Sequence, residues 1–588
     1  MEGNRRIKKK RRNFASYLKH ERYQGKRNLF GRGTHIDEET YNYLLRVMGV
    51  NISNFETEED REIFIDNVFE EMAGKEKNIL CNQVGSRAIE MFLPWASDEI
   101  LLRFTCILSE DLRKMCLDGF GSHVLQQLVF VVSARLQKTQ SSSPETNASQ
   151  ESQSSGPDIS MRFKIWLQQV GQFVVNNLDE FVWDCYANHV IRTVLECFSG
   201  LPRGSTSKQK KEGHLEWLPD PEFTPSPVGE GFSLVQQCGC RILQMPEVFD
   251  YVNTNLVSGL LQTILLAVRK VDSQLCTKII RHLLDYCILN ESQAAARLME
   301  VMISVAKRKT FRIIYIRCFK FKLQPLSLAP DANFCVQSLI KHCKTIDEFE
   351  EIFEELLPNF EELMHHNRHG VLVALGQSCQ RLRCKQKEFF MQLQAAFHCV
   401  ERERQVLFPL LVVHWVDYET WSMTTRNENA DLPVTLPGSL LIQTLLSFNE
   451  PIKIIKALLE MDSKHLLKLL CDRHGSHIGD AFLGSKVVGE KQKTKLFMKL
   501  QGSYVALVTS TSGSRVLDKI WLWASLKSKK FILKELAASE DVVRSVKTGN
   551  VFSEIHGLAV FKRNPDNWEE NQKRKERAEK LFADIIDP

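Results

Sequence analysis

The sequence predicts an all-α protein, an α-solenoid of about eleven helical repeats that form a curved arc or horseshoe. A short motif, in which a small residue is followed by polar residues, recurs at a nearly constant spacing. Gly85 and Gly121 lie 36 residues apart, and Gly438, Gly475 and Gly513 follow one another at 37 and 38 residues. A fixed period in the thirties indicates a helical repeat array. Apolar residues between the motifs keep helical spacing, and no convincing run alternates as a β-strand does.

The clearest copy of the motif runs from Gly121 to Leu128 and predicts a helix with two opposed faces. Residues three and four apart share one side of a helix, so Ser122, His123 and Gln126 form a polar triangle. The apolar side consists of Val124, Leu125 and Leu128. We number each repeat from the residue after the small one, so that the triangle occupies the first, second and fifth positions. At the small residue itself, we expect a side chain to crowd whatever approaches the helix.

Other copies of the motif are less regular. Copies with Ala in place of Gly begin at Ala187, Ala295 and Ala332, and weaker copies begin at Gly370 and Gly549. A competing copy begins at Cys276, only 19 residues before Ala295, so one of these two registers is doubtful. Gly370 is followed by apolar residues at every polar position.

Composition changes along the chain predict its domain organisation. Residues 1–37 are expected to be a disordered basic tail, residues 38–570 the repeat solenoid, and residues 571–588 a charged C-terminal helix. Two stretches rich in Ser, Gln, Gly, Pro and charged residues, about 137–160 and 199–231, are predicted to be disordered inserts that interrupt the repeats.

The net charge of +5 conceals an asymmetry between the tail and the body. Residues 1–35 hold 12 Lys or Arg and 2 Asp or Glu, whereas the remainder holds 65 basic and 70 acidic residues. The run from Arg5 to Arg12 is typical of a nuclear or nucleolar address and of non-specific RNA contacts, although a solvated tail is the simpler reading. Any nucleic-acid affinity of the body must therefore come from charge gathered on one face.

Several classes of protein are disfavoured by composition. The 16 cysteines form no short spaced framework, and no signal peptide opens the chain, which predicts reduced intracellular thiols. No apolar run reaches the roughly 18 residues needed to span a bilayer, so no membrane partner is expected.

The motif residues Gly121–Gln126 and their relatives resemble the second helix of repeats of the Pumilio (PUF) family, whose repeats stack into an arc. The number of repeats, the inserts and the basic head are similar to those of an eleven-repeat branch that acts in ribosome assembly. The resemblance covers about residues 40–570. It implies that each repeat binds about one RNA base through two or three side chains of this helix.

The resemblance assigns roles to the polar triangles. The second position stacks on a base, and the first and fifth positions bind its edge. Flat or guanidinium side chains occupy the second position at Arg87, His123, His189, Arg297, Phe334, His477 and Arg515. The predicted edge-binding pairs are Ser86 with Glu90, Ser122 with Gln126, Asn188 with Arg192, Asn333 with Gln337, Ser439 with Gln443, Ser476 with Asp480, and Ser514 with Asp518.

These pairs match the family's patterns unequally. Asn333 with Gln337 resembles the uracil-binding pair, the two Ser–Gln pairs resemble the adenine-binding pair, and Ser86 with Glu90 resembles the guanine-binding pair. Asp is one methylene shorter than Glu, and Val371 offers no hydrogen bond. The sequence therefore predicts a weak, discontinuous base preference, with recognition of RNA backbone and shape contributing more. For any single triangle, solvated surface polar residues are the competing explanation.

Catalysis, metal binding and phosphate loops find little support. Ser476, His477 and Asp480 carry the residue types of a hydrolase triad, but neighbours on one helix rarely adopt that geometry, and the chain is not expected to be an enzyme. No metal site and no cofactor is predicted, although His474 and His477 are spaced as ligands on a helix are. A basic cluster at residues 307–322 is expected either to bind phosphates or to be a solvated face.

By its resemblance, the chain is expected to bind the precursor of small-subunit ribosomal RNA on its concave face, near the junction of the mature 3′ end and the internal spacer, and to delay the nuclease that cuts there. Its expected location is the nucleus and nucleolus. The expected partners are this pre-ribosomal RNA and proteins of the pre-ribosomal particle, with the chain itself a monomer. The alternative is a protein-binding scaffold of the armadillo or HEAT type, which the acidic body favours somewhat.

Overall fold

A computed structural model describes residues 30–141, 156–202, 231–286, 289, 292–425 and 432–586. Within these residues every secondary-structure element is a helix. The sole β pairing is an isolated bridge between Gly33 and Asn82. None of the described helices is long and apolar enough to cross a membrane. The predicted all-α fold class is confirmed.

The chain divides into two compact units, Met1–Ile314 and Tyr315–Pro588. The α-helices described in the first unit are α1 (Glu38–Met48), α2 (Glu58–Glu71), α3 (Glu76–Leu80), α4 (Gln83–Phe92), α5 (Asp98–Glu110), α6 (Leu112–Leu117), α7 (Gly121–Ser141), α8 (Gly156–Asn176), α9 (Leu178–Phe181), α10 (Cys185–Ser199), α11 (Gly231–Leu243), α12 (Asn255–Val271), α13 (Ser273–Leu283), α14 (Gln293–Val305) and α15 (Arg308–Ile314).

The second unit begins with a π-helical turn, Tyr315–Phe319. The α-helices described in it are α16 (Leu323–Leu328), α17 (Ala332–His342), α18 (Ile346–Leu356), α19 (Phe360–His365), α20 (His369–Leu382), α21 (Gln386–Ala396), α22 (Phe408–His414), α23 (Tyr418–Thr425), α24 (Leu436–Leu446), α25 (Ile452–Glu460), α26 (Ser463–Cys471), α27 (Ser476–Gly484), α28 (Glu490–Lys499), α29 (Tyr504–Thr509), α30 (Thr511–Trp523), α31 (Leu526–Ala538), α32 (Glu540–Ser545), α33 (Lys547–His556), α34 (Leu558–Arg563) and α35 (Pro565–Ile586).

One helix of each repeat packs against its counterpart in the next repeat, and we call these the row helices. In the first unit they are α1, α4, α7, α10, α12 and α14, each in contact with the next. In the second unit they are α17, α20, α24, α27, α30 and α33, again each in contact with the next. The described residues thus contain twelve row helices, against the eleven or so repeats predicted. On α7, the apolar residues Val124, Leu125 and Leu128 are fully buried, as predicted.

A side-chain hydrogen bond begins most row helices. The residue three before the small residue accepts a hydrogen bond from the small residue's backbone N–H, for example Asp118 Oδ1 from Gly121 at 2.7 Å. The same bond, at 2.7–3.4 Å, is made by Asp37, Asn82, Asp118, Asp184, Thr254, Ser292, Thr435, Asp472 and Ser510. Such N-caps typically stabilise a helix by about 1 kcal/mol each. They also fix where each row helix begins.

In five repeats a preceding helix approaches so closely that the small position must be glycine. A Cβ at Gly85 would lie 2.3 Å from the carbonyl oxygen of Ile79, and one at Gly475 would lie 2.1 Å from that of Leu469. Equivalent contacts of 2.1–2.7 Å occur at Gly438, Gly513 and Gly549. At Gly121, where an added Cβ would lie 3.1 Å from Met115 Sδ, the expectation that a side chain would crowd an approaching ligand stays a prediction.

Three predicted boundaries differ from the observed ones. Helix α7 continues to Ser141 and α8 begins at Gly156, so the predicted insert 137–160 is too long at both ends. The second insert agrees better, since α10 ends at Ser199 and α11 begins at Gly231. The remainder of both inserts, 142–155 and 203–230, lies outside the described residues. The C-terminal helix begins at Pro565, six residues before the predicted start, and is described to Ile586.

The predicted tail 1–37 ends in an ordered segment, while residues 1–29 lie outside the described part of the chain. Asn82 Nδ2 donates hydrogen bonds to the carbonyl oxygens of Phe30 at 3.2 Å and Thr34 at 2.9 Å. The Thr34 N–H donates to the Cys81 carbonyl, and the Gln83 N–H donates to the Arg32 carbonyl. Asn82 thus caps α4 with its oxygen and holds the incoming chain with its nitrogen.

The doubtful register in the middle of the chain is settled by packing. Helix α13, which carries Cys276, is not a row helix, whereas α14, which carries Ala295, packs on α12 as a row helix does. The row helix α12 was missed, because Val257 occupies its small position and Thr254 its cap. Its first, second and fifth positions are Ser258, Gly259 and Gln262.

Helix α35 closes the last repeat. Trp568 near its start is only 2% exposed and packs on the rings of Phe561 and Trp521. Its indole N–H donates to the His556 carbonyl at 2.8 Å, at the end of row helix α33. The expected solvated capping helix is therefore anchored at its N-terminal end by an aromatic side chain.

We expect Gly475→Ala to loosen the repeat that contains α26 and α27. The new methyl group would lie 2.1 Å from the Leu469 carbonyl oxygen, so the two helices must move apart. Overpacking of this kind typically costs about 1–3 kcal/mol. The control is Gly484→Ala on the same helix, where an added Cβ meets nothing within 4 Å. Amide hydrogen exchange of residues 463–484 should accelerate in the first variant only, and equal protection in both would contradict the close-approach argument.

Candidate nucleic-acid interface

The first positions of the polar triangles are buried. Ser122, Asn188 and Ser439 have no exposed surface, and Ser86, Ser476 and Asn333 are at most 5% exposed. Ser514 is half-buried. A side chain without exposed surface cannot contact a base in this conformation. The predicted role of the first position in binding a base edge is therefore not supported by the geometry at Ser122, Asn188 and Ser439, and it stays a prediction at the other four residues.

In two repeats the first position instead holds the fifth position, and in one of them it also holds the next row helix. Gln337 Nε2 donates to Asn333 Oδ1 at 2.9 Å, and Gln443 Nε2 donates to Ser439 Oγ at 2.9 Å. The Ser439 hydroxyl in turn donates to the His474 carbonyl at 2.6 Å, just before row helix α27. The half-buried fifth-position amides are thus oriented from beneath by buried polar groups.

The second positions are the exposed part of each triangle. All seven predicted stacking residues, Arg87, His123, His189, Arg297, Phe334, His477 and Arg515, are exposed. Phe334 is the most telling, because a phenyl ring that is 46% exposed contributes little to the core. The row helices of each unit pack side by side, and the seven planar groups share one position on them. The second positions of α12, α20 and α24 are instead Gly259, Leu372 and Leu440. That these groups stack on RNA bases stays a prediction.

Neighbouring row helices bring their polar positions together. Thr193 of α10 donates a hydrogen bond to the fifth-position Gln126 of α7 at 3.2 Å. Partial burial of the ring, together with the nearby charges of Arg192 and His123, lowers the pKa of His189 to about 4. His189 is consequently neutral at physiological pH and presents a planar ring without positive charge.

Three row helices depart from the family pattern at the fifth position, where they carry Asp480, Asp518 and Leu375. His477 Nδ1 lies 3.7 Å from Asp480 Oδ2, so the shorter carboxylate is engaged within its own helix. Asp518 is exposed, and partial burial of its carboxyl raises its pKa. On α20, Val371 and Leu375 are fully buried, which leaves that row helix without the predicted edge-binding groups.

The geometry at Ser476 does not assemble a catalytic triad. The Ser476 hydroxyl donates to the Arg473 carbonyl at 3.2 Å, while His477 faces Asp480. Among the residues that the structure describes, no group of three His, Cys, Asp or Glu side chains is arranged to hold a metal ion.

The predicted basic cluster at residues 307–322 divides between the two units. In the first unit Lys307, Arg308 and Lys309 are exposed. In the second unit Lys320 Nζ lies 3.6 Å from Glu351 Oε2, so part of its charge is balanced. The choice between phosphate binding and a solvated face stays open for this cluster.

The residues on α12 are those that the sequence reasoning missed. Ser258 is 1% exposed and donates to the Ala294 carbonyl at 2.7 Å, while it accepts from Gln262 Nε2 at 2.9 Å. The motif search required Gly or Ala at the small position and therefore passed over Val257. The N-cap Thr254, three residues earlier, was the signal that would have found it.

Comparison with known proteins gives a consistent family. The model of the NOP9-like PUF repeat domain matches residues 74–214 and 261–551. Nucleolar protein 9 of Homo sapiens is 26% identical and covers 92% of this chain and 89% of its own length. Pumilio homolog 23 of Arabidopsis thaliana is 24% identical and covers 93% of this chain and 74% of its own length.

Solved structures show the same fold. The complex of APUM23 with the RNA GGAAUUGACGG covers 92% of this chain and 100% of that chain, with a TM-score of 0.68 and 22% identity. Complexes of APUM23 with GGAGUUGACGG and GGAUUUGACGG give TM-scores of 0.70 and 0.71 at 22% identity and the same coverage.

We expect the His189 ring to titrate near pH 4 in nuclear magnetic resonance spectra of the free protein. Arg192→Ala should raise that midpoint, because a neighbouring positive charge is removed, but not to the ordinary value, because partial burial is the larger cause. Because the unfolded chain binds a proton at His189 more readily than the folded chain does, the free energy of unfolding decreases as pH falls from about 6.5 toward 4. A midpoint between 6 and 7 in the wild-type protein would contradict the observed packing.

Proposed function

The chain belongs to the family of NOP9-like PUF repeat proteins, and from this premise we propose that it binds RNA along the surface formed by its row helices. The observation that carries the proposal is the exposed series of planar second-position side chains. Seven of these groups, from Arg87 to Arg515, share one position of the repeat. Packing alone gives no reason for such a series, whereas base stacking requires flat groups at regular intervals.

The relatives support RNA as the ligand. APUM23 has been solved with three RNAs that differ only at the fourth nucleotide, GGAAUUGACGG, GGAGUUGACGG and GGAUUUGACGG. We propose that this chain binds single-stranded RNA of comparable length. Stacking is worth roughly 1–3 kcal/mol per base and is available to every base.

Base selection on this surface is proposed to rest on the fifth positions. Gln337 and Gln443 are held in place by Asn333 and Ser439 and retain partly exposed amides. Because the first positions are buried, one group rather than two meets the base edge in each of these repeats. We therefore propose a modest base preference, strongest at Gln126, Gln337 and Gln443.

We propose that the biological target is the precursor of small-subunit ribosomal RNA, near the junction of the mature 3′ end and the internal spacer. RNA held along the row helices cannot enter a nuclease site, so binding would delay cleavage by occlusion and without catalysis. Relatives named nucleolar protein 9 assign the family to the nucleolus, which also agrees with the basic run from Arg5 to Arg12. Proteins of the pre-ribosomal particle are the proposed further partners, and the chain is proposed to act as a monomer.

The armadillo or HEAT scaffold was the competing reading of the repeats. That hypothesis rested mainly on the helical period, and the period is explained by membership of a PUF family. The acidic balance of the body does not weigh against RNA, because the second positions carry no acidic residue among the seven predicted stacking sites.

The triple variant Arg87→Ala, His123→Ala, Arg515→Ala is expected to weaken binding of spacer-containing RNA by at least about 100-fold. Three stacking groups at roughly 1–3 kcal/mol each give this loss, since 1.4 kcal/mol corresponds to a tenfold change. Fluorescence anisotropy at fixed salt measures it.

The matched control replaces three exposed residues of similar type outside the row helices, Arg402, His366 and Arg563, with Ala. It should bind RNA within about threefold of the wild-type protein. If both triple variants bind as the wild-type protein does, the row-helix surface is not the binding site.

Removing residues 1–29, which contain 11 Lys or Arg, should flatten the salt dependence of RNA binding. Each phosphate contact contributes about −0.7 to the slope of log K against log salt for a single strand. We expect a slope smaller in magnitude by about 2 or more, with the order of preference among RNA sequences unchanged. An unchanged slope would show that the tail does not contact RNA.

A further inference from the structure

Row helix α12 has no exposed side chain at its second or fifth position that could contact a base. Its second position is Gly259, and its fifth position, Gln262, is only 6% exposed. Gln262 is turned toward Ser258, whose hydroxyl is bonded to the Ala294 carbonyl of the next repeat. A base lying over α12 would therefore find no side chain of α12 itself at this position, whereas bases over the neighbouring row helices α10 and α14 would meet an exposed side chain.

The space above Gly259 is occupied from the preceding repeat. A Cβ at Gly259 would lie 3.1 Å from Nη1 of Arg192 and 3.5 Å from its Cζ. The guanidinium of Arg192, the fifth-position residue of α10, thus lies against the surface of α12. Any side chain at Gly259 would press on this guanidinium, whereas glycine gives it room.

Partial burial restricts the side chain of Arg192. Its side chain is half-buried, and burial lowers its pKa, while Glu196 one turn later on α10 opposes that shift. An arginine remains protonated under these conditions. A half-buried guanidinium also loses less freedom on binding than an extended surface side chain does.

We infer that Arg192 supplies, from α10, the stacking surface for the base that lies over α12. A guanidinium plane stacks on any base, and α12 has no exposed edge-binding group, so this RNA position is bound through its base face and without base selection. The inference rests on the proposed RNA binding and adds one base-tolerant subsite with a named residue. It also changes the role of Arg192, which the sequence analysis pairs with Asn188 as an edge-binding residue of its own repeat.

The test uses the full-length protein and the RNA GGAAUUGACGG, with an abasic nucleotide placed at each position in turn. For the wild-type protein we expect one position where all four bases bind within twofold but the abasic nucleotide weakens binding about tenfold. In Arg192→Ala this abasic penalty should vanish, while the penalties at the other positions persist. Arg192→Lys keeps the charge but loses the plane, so it should lose the same penalty and retain the salt dependence.

Gly259→Ala tests the position of the guanidinium without removing it. The added methyl pushes Nη1 away, so we expect binding to weaken by about threefold in the wild-type background and not at all in the Arg192→Ala background. Gly484→Ala is the control, because an added Cβ there meets nothing within 4 Å. Circular dichroism of each variant verifies that the helices are retained.

The outcomes separate the two proposals. If Arg192→Ala weakens binding equally for intact and abasic RNAs at every position, Arg192 acts only as a charge and the inference is overturned. An equal loss from Gly259→Ala in both backgrounds also overturns it, because the methyl group then acts independently of Arg192. If the wild-type protein binds neither this RNA nor spacer-containing RNA, the proposed function itself fails.

Discussion

Most repeats depend on one hydrogen bond at the start of the row helix, between a capping oxygen and the backbone N–H of the small residue. At Asp118 and Gly121 this bond is 2.7 Å long. The bond fixes the first turn, and the absent Cβ then lets the preceding helix approach to contact distance, as Leu469 does at Gly475. The same bond recurs in nine of the twelve described row helices and fixes where each of them begins. Row helix α17 lacks the bond but still buries Asn333 and exposes Phe334, so the packing of neighbouring row helices also sets which positions are exposed.

The residues of the polar triangle differ in burial, so some support the surface and others are exposed on it. The first position lies beneath the surface, where Ser439 joins its own Gln443 to the next row helix through two hydrogen bonds. The second position projects outward and carries the planar groups. A buried polar group that is hydrogen-bonded stabilises a unique arrangement, so the amides of Gln337 and Gln443 are held before any RNA arrives. Such preorganisation lowers the entropic cost of binding.

The sequence predicted the period, the helical class and the exposed second positions, because these follow from spacing along a single helix. It did not predict that Ser122 is buried while Gln126 is half-buried. These residues are about 40° apart around the helix, and only the neighbouring row helix decides which of them is covered. The row helix α12 was missed because Val257 takes the small position, and the ordered segment at Phe30–Asp37 was missed because its hydrogen-bond partners are some fifty residues away at Asn82. Contacts between repeats carry no local signature in the sequence.

The packing of row helices does not require the polar triangle. Row helix α20 has buried Val371 and Leu375 in place of polar groups, yet it packs on both neighbouring row helices. The fold of a repeat therefore does not depend on polar residues at its first and fifth positions. In an array of this kind, some repeats serve to hold the row together, while the neighbouring repeats carry the polar triangles.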